Sequence, residues 1–369
     1  MNYKPQSLTT LPGLTLIVAA AALLAVVGWQ TTANSADEKP SAPDAAASDE
    51  KTATRAADPA TATPDEAKTS DPAPPADAAA TAGLPDSKAL LDQVRTKLQG
   101  LDSLKCDLHE TVMMSGMSFN AAGIYAEASG NRVHVEFRIF PSQPARQSDM
   151  KQIALDAEPV VAAAETSRGE LTQVSDGTVL FTHWKNGANV TVTRRNLRDI
   201  MEAASKVSGY DTDHVAMDLG VGGLRGLISR IEALMEFAPV QSKKVGDAEF
   251  YVVRGRWNAK TRKELFQLPD DAVVDPRPHI PEYVVFYIDA KTSLPRRIEY
   301  RKRAPDPAQK FDRPMVILDL RNIVVNEALP DDMFVFKTPE GLKETDITEQ
   351  TIQVIQQSVQ GAAEATPAP

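Results

Sequence analysis

The chain has 369 residues, a formal net charge of −10, 24% charged residues and a single cysteine. One cysteine excludes an internal disulfide, and the acidic balance leaves no basic field to attract a nucleic acid. Length alone would allow two or three domains, but the amino-terminal part has the composition of none.

Leu14 to Trp29 form a sixteen-residue apolar run without charge, preceded only by Lys4 and the amino terminus as positive charge. An export signal has an apolar core of about 7–15 residues, and a membrane-spanning helix needs about 20, with a lower limit near ~17. The run lies between the two. Small residues at Ala33 and Ser35 suit a cleavage enzyme, so residues 1–29 read either as a signal peptide or as an anchor. In both cases the rest is delivered across a membrane, to the periplasm or cell envelope. The anchor reading holds it at the inner membrane by residues 11–29.

Residues 30–83 carry ten Asp/Glu against four Lys/Arg, with no aromatic residue and no Val, Ile or Leu. Such a segment cannot bury enough apolar area to offset its ordering entropy, and Asp71-Pro-Ala-Pro-Pro75 favours extended, solvated backbone. It reads as a disordered tether whose ends lie on the order of 40 Å apart as a coil.

A folded domain is expected over 84–347. Asp86 and Ser87 cap a helix with Leu90, Leu91, Val94 and Leu98 at helical spacing, ended by Gly100. Alternating runs then predict strands at 103–114, 119–126 and 132–140, joined at Ser115-Gly116 and Ser129-Gly130-Asn131. The Pro-, Ala- and Glu-rich stretch 140–169 reads as an inserted flap with a short helix. Strands return at 171–176, 178–184 and 189–194, with hairpin turns at Asp176-Gly177 and Asn186-Gly187.

Two amphipathic helices follow. Leu197, Ile200, Met201, Ala204 and Val207 stripe one; Leu224, Leu227, Ile228, Ile231, Leu234 and Met235 stripe the other, behind a Gly220–Gly223 hinge. Each must cover something apolar. Strands are expected again at 248–257, 283–289, 295–303 and 315–325, with Lys260–Pro281 as a further insertion. Met315 to Val325, followed by Ala328 to Gly341 with a small aromatic strand Phe334-Val-Phe336, suits the closing edge of a half-barrel of antiparallel strands. A last helix at 346–360, with Asp346 and Glu349 as an acidic capping box, opens the 348–369 helix and tail.

The chemistry-bearing patterns are thin. Gly220-Val-Gly-Gly-Leu-Arg-Gly226 misses the dinucleotide spacing at Arg225 and lacks the Lys-Ser/Thr of a P-loop, so a hinge is the better reading. Asp211-Thr-Asp-His214 and Asp218 read as an acidic surface loop, because the five histidines show no ligand spacing; no metal or cofactor is expected. No Gly-x-Ser-x-Gly elbow exists, so no catalytic residue is assigned and the protein does not read as an enzyme. Glu110, Glu136 and Asp319 are expected on a solvated face. Arg296, Arg297, Arg301, Lys302 and Arg303 read as a charged edge that blocks strand aggregation, or as a contact for lipid head-groups. Cys106, between Leu104 and Leu108, reads as a buried small hydrophobe. Met113, Met114, Met117, Phe119, Val133, Val135 and Phe137 make an apolar excess on successive strands, which fills either a plain core or a lidded cavity.

Taken in order, several segments resemble the periplasmic lipoprotein-carrier (LolA-like) superfamily of outer-membrane lipoprotein-sorting proteins. They are Leu101-Asp-Ser-Leu-Lys-Cys-Asp-Leu108, Gly123-Ile-Tyr-Ala-Glu127 with Asn131-Arg132, Gln173-Val-Ser-Asp-Gly-Thr-Val-Leu-Phe-Thr-His-Trp184, Leu294-Pro-Arg-Arg-Ile-Glu-Tyr300, and Leu329 to Gly341. The resemblance covers roughly 86–347. It implies an α+β fold: an incomplete, strongly curved antiparallel β-barrel (a half-barrel) covered by a helical lid, sheltering acyl chains in an apolar cavity. The site residues it implies are Arg132, Val133, Val135, Phe137, Met113, Phe119, Leu224, Leu227, Ile228 and Ile231. Arg132 matches the family arginine that bonds to the lid and holds it shut. Val133 stands where the family has Pro. The expected partners are lipid or lipoprotein acyl chains, and the expected function is a non-enzymatic carrier or tethered chaperone. The long tether keeps a second reading open: a membrane-anchored interaction or sensor module that recognises an envelope protein.

Overall fold

The computed structural model describes residues 83–114, 117–141, 155, 167–206, 212–264, 266, 268, 277, 280–303 and 312–364. The expected leader and nearly all of the tether, the flap around 142–166 and most of the insertion up to Pro281 lie outside these residues.

Helix α1 (Ser87–Gln99) forms where its caps predict. The Asp86 carboxylate accepts from the backbone N–H groups of Lys88 and Ala89, and Gly100 closes the last turn. Six strands then run as one antiparallel meander: β1 (Ser103–Met114), β2 (Met117–Ala128), β3 (Arg132–Pro141), β4 (Gly169–Asp176), β5 (Val179–Asn186) and β6 (Asn189–Asn196). The turns sit at residues that tolerate left-handed backbone: Gly130, Asn131, Gly177 and Gly187 all have positive φ. Helices α2 (Leu197–Ser205), α3 (Thr212–Asp218) and α4 (Gly223–Leu234) follow.

The second strand group is β7 (Met235–Phe237), β8 (Gln241–Val245), β9 (Ala248–Trp257), β10 (Tyr283–Asp289), β11 (Pro295–Lys302) and β12 (Arg313–Val325), with the short helix α5 (Ala259–Glu264) after β9. A 3-10 turn (Asp331–Phe334), β13 (Glu344–Asp346) and α6 (Thr348–Glu364) complete the chain. All thirteen strands form one sheet in the order β13-β6-β5-β4-β3-β2-β1-β12-β11-β10-β9-β7, with β8 also on β9. Every pair is antiparallel except β13 on β6. The order is linear, with β13 and β7–β8 at its two ends, so the sheet curls without closing. This is the half-barrel expected from the sequence.

Curvature has a local cause. Gly123 lies mid-strand in β2, and a Cβ there would overlap the Glu136 carbonyl of β3. Only a glycine lets the two strands approach that closely.

The sheet has two different faces. On the inner face, Leu104, Cys106, Leu108, Glu110 and Val112 of β1 line up with Ala121 and Tyr125 of β2, Val133, Val135 and Phe137 of β3, and Val316, Leu318 and Leu320 of β12. Helices α1 and α4 cover this face through Leu90, Leu91, Val94, Leu224, Ile228 and Ile231, all in the main apolar cluster. Arg95 of α1 pairs with Glu232 of α4 at 2.9 Å. Helices α2, α3 and α6 make a smaller cluster from Ile200, Ala204, Val215 and Ile355.

Several expectations fail, for identifiable reasons. Strand β12 is not a closing edge; it pairs with β1 on one side and β11 on the other. The Phe334-Val-Phe336 segment is no strand. It crosses the outer face, where Phe336 stacks on Phe181 of β5 with ring centroids 5.2 Å apart. Strand β11 is interior, so its arginines do not guard an edge. Arg297 is 1% exposed and makes a two-pronged bond to Asp319, Nε to Oδ1 at 2.6 Å and Nη2 to Oδ2 at 2.9 Å. Glu110 and Asp319 are buried, while Glu136 is exposed as expected. From Thr212 onward, the expected acidic loop is helix α3. Asp346 caps the Thr348 N–H and pairs with Arg194, one position outside the expected capping box. Strands β7, β8 and β13 and helix α5 are additional to those expected; β7, β13 and α5 are too short for periodicity to speak, and β8, Gln-Ser-Lys-Lys-Val, has no apolar alternation.

Candidate functional site

The inner face and helix α4 enclose a small apolar hollow of about 90 Å³. Its walls include Leu108, Tyr125, Val135, Phe137, Leu224 and Leu227, with Met217, Ile298, Leu318 and Leu320. A second hollow of about 230 Å³ adjoins it at the ends of β1 and β3 and is polar, lined by Ser103, Glu127 to Val133 and Arg225. Gly222 and Gly223 line both. The start of α4 is therefore the partition between a wet mouth and a dry interior.

Three polar side chains hold that partition. The Glu127 carboxylate accepts from the backbone N–H of Leu224 at 2.9 Å and from the Tyr125 hydroxyl at 2.5 Å. The carboxylate thus sits at the N-terminus of α4, where the first N–H groups have no helical partner. Gln173 of β4 donates to the Leu219 carbonyl at 2.9 Å, just before the glycine segment. Gly220 and Gly223 take φ of 77° and 65°, and a Cβ on Gly223 would overlap the Glu127 carboxylate. The approach of Glu127 to the helix start requires this glycine.

Burial pushes the Glu127 carboxyl above its ordinary range, and the bonds from Tyr125 and Leu224 only partly oppose this. Tyr125 is pushed well up, first by burial and then by Glu127. The clasp is not what holds α4 down, however. Each of Leu224, Ile228 and Ile231 gains about 1.5–3 kcal/mol on burial, against roughly 0.5–1.5 kcal/mol net for a neutral hydrogen bond. Apolar contact supplies the closing energy, and the clasp fixes where the helix lands.

Of the residues named from sequence, the structure brings Val135, Phe137, Leu224 and Leu227 together around the inner hollow. Val133 lines the mouth, and Ile228 and Ile231 lie in the same apolar cluster. Phe119 faces inward opposite Val112 and packs on that cluster. Met113 does not join them. It pairs with Ser118 on the opposite face from Val112, since side chains alternate along a strand.

Arg132 lines the polar mouth beside Gly223 and Arg225, but its bonds go elsewhere: its Nε donates to the Ser129 carbonyl at 3.1 Å. It shares the outer face of β3 with His134, and both hold the 3-10 turn there. Arg132 lies over the Phe334 ring at 5.2 Å and 3.6 Å from Asp331, and the His134 Nδ1 is 2.6 Å from the Met333 carbonyl. The side chain that bonds to the start of α4 is Glu127, which is not among the residues named from sequence. Its one sequence signal is Tyr125 two residues earlier on the same strand face, facing a glycine hinge.

Among the described residues no cluster of His, Cys, Asp or Glu is arranged to hold a metal ion, and no helix is long and apolar enough to cross a membrane. Cys106 is buried, and its thiol is pushed up to about 12 by that burial.

No family model matches the chain, and no curated protein matches it. The fold is similar to several solved structures. They include the lipoprotein LppX of Mycobacterium tuberculosis, at 12% identity over 67% of this chain and 100% of that one, with a TM-score of 0.32. A putative outer membrane lipoprotein-sorting protein domain from Vibrio parahaemolyticus matches at 9% identity over 66% and 94%, TM-score 0.27. A LolA superfamily protein of Nitrosomonas europaea matches at 11% identity over 69% and 99%, TM-score 0.22. The last two carry the names of the family that the sequence resembles. At these scores the likenesses carry no argument about ligand or activity, and the half-barrel rests on the sheet topology itself.

Proposed function

We propose that the protein is a non-enzymatic carrier or tethered chaperone of the cell envelope that holds lipid or lipoprotein acyl chains between the curved sheet and α4. The observation that carries this reading is the partition: an apolar hollow separated from a polar mouth by one helix start, a glycine hinge and a few hydrogen bonds. Chains of CH₂ groups are the matching ligand, since each buried CH₂ is worth about 0.8 kcal/mol and needs no polar partner. In the closed form the hollow is far below the several hundred Å³ of a typical ligand site. Loading therefore requires α4 to lift at Gly220–Gly223, joining mouth and interior. Val135, Phe137, Leu224, Leu227 and Ile228 are the surfaces that exchange their mutual contacts for the chain. Residues 1–29 and the acidic linker deliver the domain and keep it near a membrane.

Titrating the full chain with a long-chain apolar fluorophore tests this. Saturable binding is expected, falling at least tenfold when Leu227 and Ile228 are both replaced by Asp. Absence of saturable binding to the wild type overturns the carrier reading. An empty interior together with a stoichiometric envelope protein, seen by native mass spectrometry of protein from its own host, favours an interaction module instead.

A further inference from the structure

We propose that the Glu110 carboxyl is a ligand-binding group: the contact, deep inside the half-barrel, for a hydroxyl carried along the hydrocarbon chain of the cargo. This rests on the carrier reading and narrows its ligand to hydroxylated acyl chains.

Glu110 lies on the inner face of β1, in step with Leu104, Cys106, Leu108 and Val112. It is 1% exposed, and neither carboxyl oxygen has a hydrogen-bond partner among the described residues. An unpaired buried carboxyl is costly in a folded protein and calls for an explanation. Its cross-strand partners on this face are Ala121 of β2 and Leu318 of β12, both apolar. A trapped water needs two to four polar partners, and these neighbours supply none. Leu318 and Leu108, which flank Glu110, also line the inner hollow. Glu110 itself is not in the hollow's wall; it lies directly behind these two wall residues on the same face, next in line for a chain that enters deeper.

Its chemical state follows from its place. Burial alone pushes the carboxyl well above the usual carboxylate range, leaving a neutral acid with one O–H donor and one carbonyl acceptor. Among the described residues no charged group is seen to act on it, and Arg297 and Arg301 of β11 sit on the outer face with Asp319 and Glu299. A neutral acid suits a neutral group that both donates and accepts, as a hydroxyl does. Its depth places that group on the chain and not at the head. Ser103 and Leu104 line the mouth, and Glu110 lies further along the same strand, roughly 20 Å away at ~3.4 Å per residue. A head-group held in the polar mouth leaves only the chain to reach Glu110.

The test is competition against the bound fluorophore by stearate and by a positional series of monohydroxystearates, with wild-type full chain, Glu110→Leu and Glu110→Gln. One mid-chain isomer is expected to bind wild type about tenfold tighter than stearate, the weight of one buried hydrogen bond. Glu110→Leu is expected to lose this preference while binding stearate as well as wild type or better, and to melt at a higher temperature. Glu110→Gln, which keeps a donor and an acceptor, is expected to keep the preference. Stearate bound saturably with no isomer preferred by wild type overturns the Glu110 assignment and leaves the carrier reading intact. A preference that survives in Glu110→Leu does the same. Failure of every probe to bind overturns both. Should Glu110→Leu not fold, Glu110→Ala, which removes the same donor and acceptor without adding bulk, is expected to lose the preference, and a preference that survives in it overturns the assignment.

Discussion

The two faces of this sheet bury charge by opposite rules. On the outer face of β11 and β12, Arg297 grips Asp319, lies 3.5 Å from Glu299, and Glu299 also accepts from Arg301 at 2.5 Å. Arg297, Asp319 and Glu299 there each answer another. On the inner face the acidic groups are few, and they face the helices or nothing: Glu127 meets the start of α4, and Glu110 meets no partner among the described residues. A network closed on itself specifies structure, whereas the unanswered carboxyl of Glu110 is the group we assign to a ligand. Energy alone does not separate these two cases, since both kinds of burial cost desolvation. Satisfaction does.

The largest effect is expected where the network is broken from one side. Arg297→Met takes from buried Asp319 its two-pronged partner, leaving Arg296 and Arg321 at 3.9 Å, while Glu299 keeps Arg301; it should cost up to about 3–5 kcal/mol of stability in chemical denaturation. Adding Asp319→Leu should restore much of that loss. A single mutant as stable as wild type would abolish the contrast between the faces.

A smaller effect is expected at the clasp. Glu127→Ala leaves the Leu224 N–H and the Tyr125 hydroxyl unpaired at a cost of about 1–3 kcal/mol. Amide exchange along the first turn of α4 should accelerate accordingly, while exchange in β10–β12 stays unchanged. The pH dependence has a defined sign. The Glu127 carboxyl titrates above its ordinary range when α4 is closed and nearer that range once opened to water. Between those two pKa values the closed form holds the extra proton, so raising pH through this window favours opening. Exchange corrected for its intrinsic rate should therefore rise with pH, and Glu127→Gln should flatten the profile. A profile that is flat in the wild type would remove Glu127 as the clasp.

The smallest effect is expected at Arg132. Asp331 is almost fully exposed, and the stacking on Phe334 is partly wet, so Arg132→Leu should cost no more than about 1 kcal/mol. Its place on the outer face predicts unchanged fluorophore release. Altered release would restore Arg132 to the lid function that the family resemblance implies.

Much of the fold was legible because its signals are local. The Asp86 cap, the Gly130, Gly177 and Gly187 turns and the alternation of β1 to β6 each depend on a few neighbouring residues, and they set element boundaries to within a residue or two. What was not legible is non-local. Whether Arg297 lies at an edge or in the middle depends on β12 joining β1 and β11, a pairing between chain segments far apart. The same holds for Glu110, whose inward direction follows from Leu108 and Val112 but whose charge argued for water. Of the candidate site, the apolar walls were readable as stripes. The clasp was not, because a glutamate on a strand gives no sign that a helix start will settle on it.

The unpaired ends of the sheet have a mechanical consequence. A closed barrel has a fixed circumference, and widening it means tearing a hydrogen-bonded ladder. Among the described residues β13 and β7–β8 are not paired, so uncurling this sheet would break no ladder between them. On the carrier reading, the girth of the cargo would then be limited by how far the helices travel, and not by a closed ring of strands.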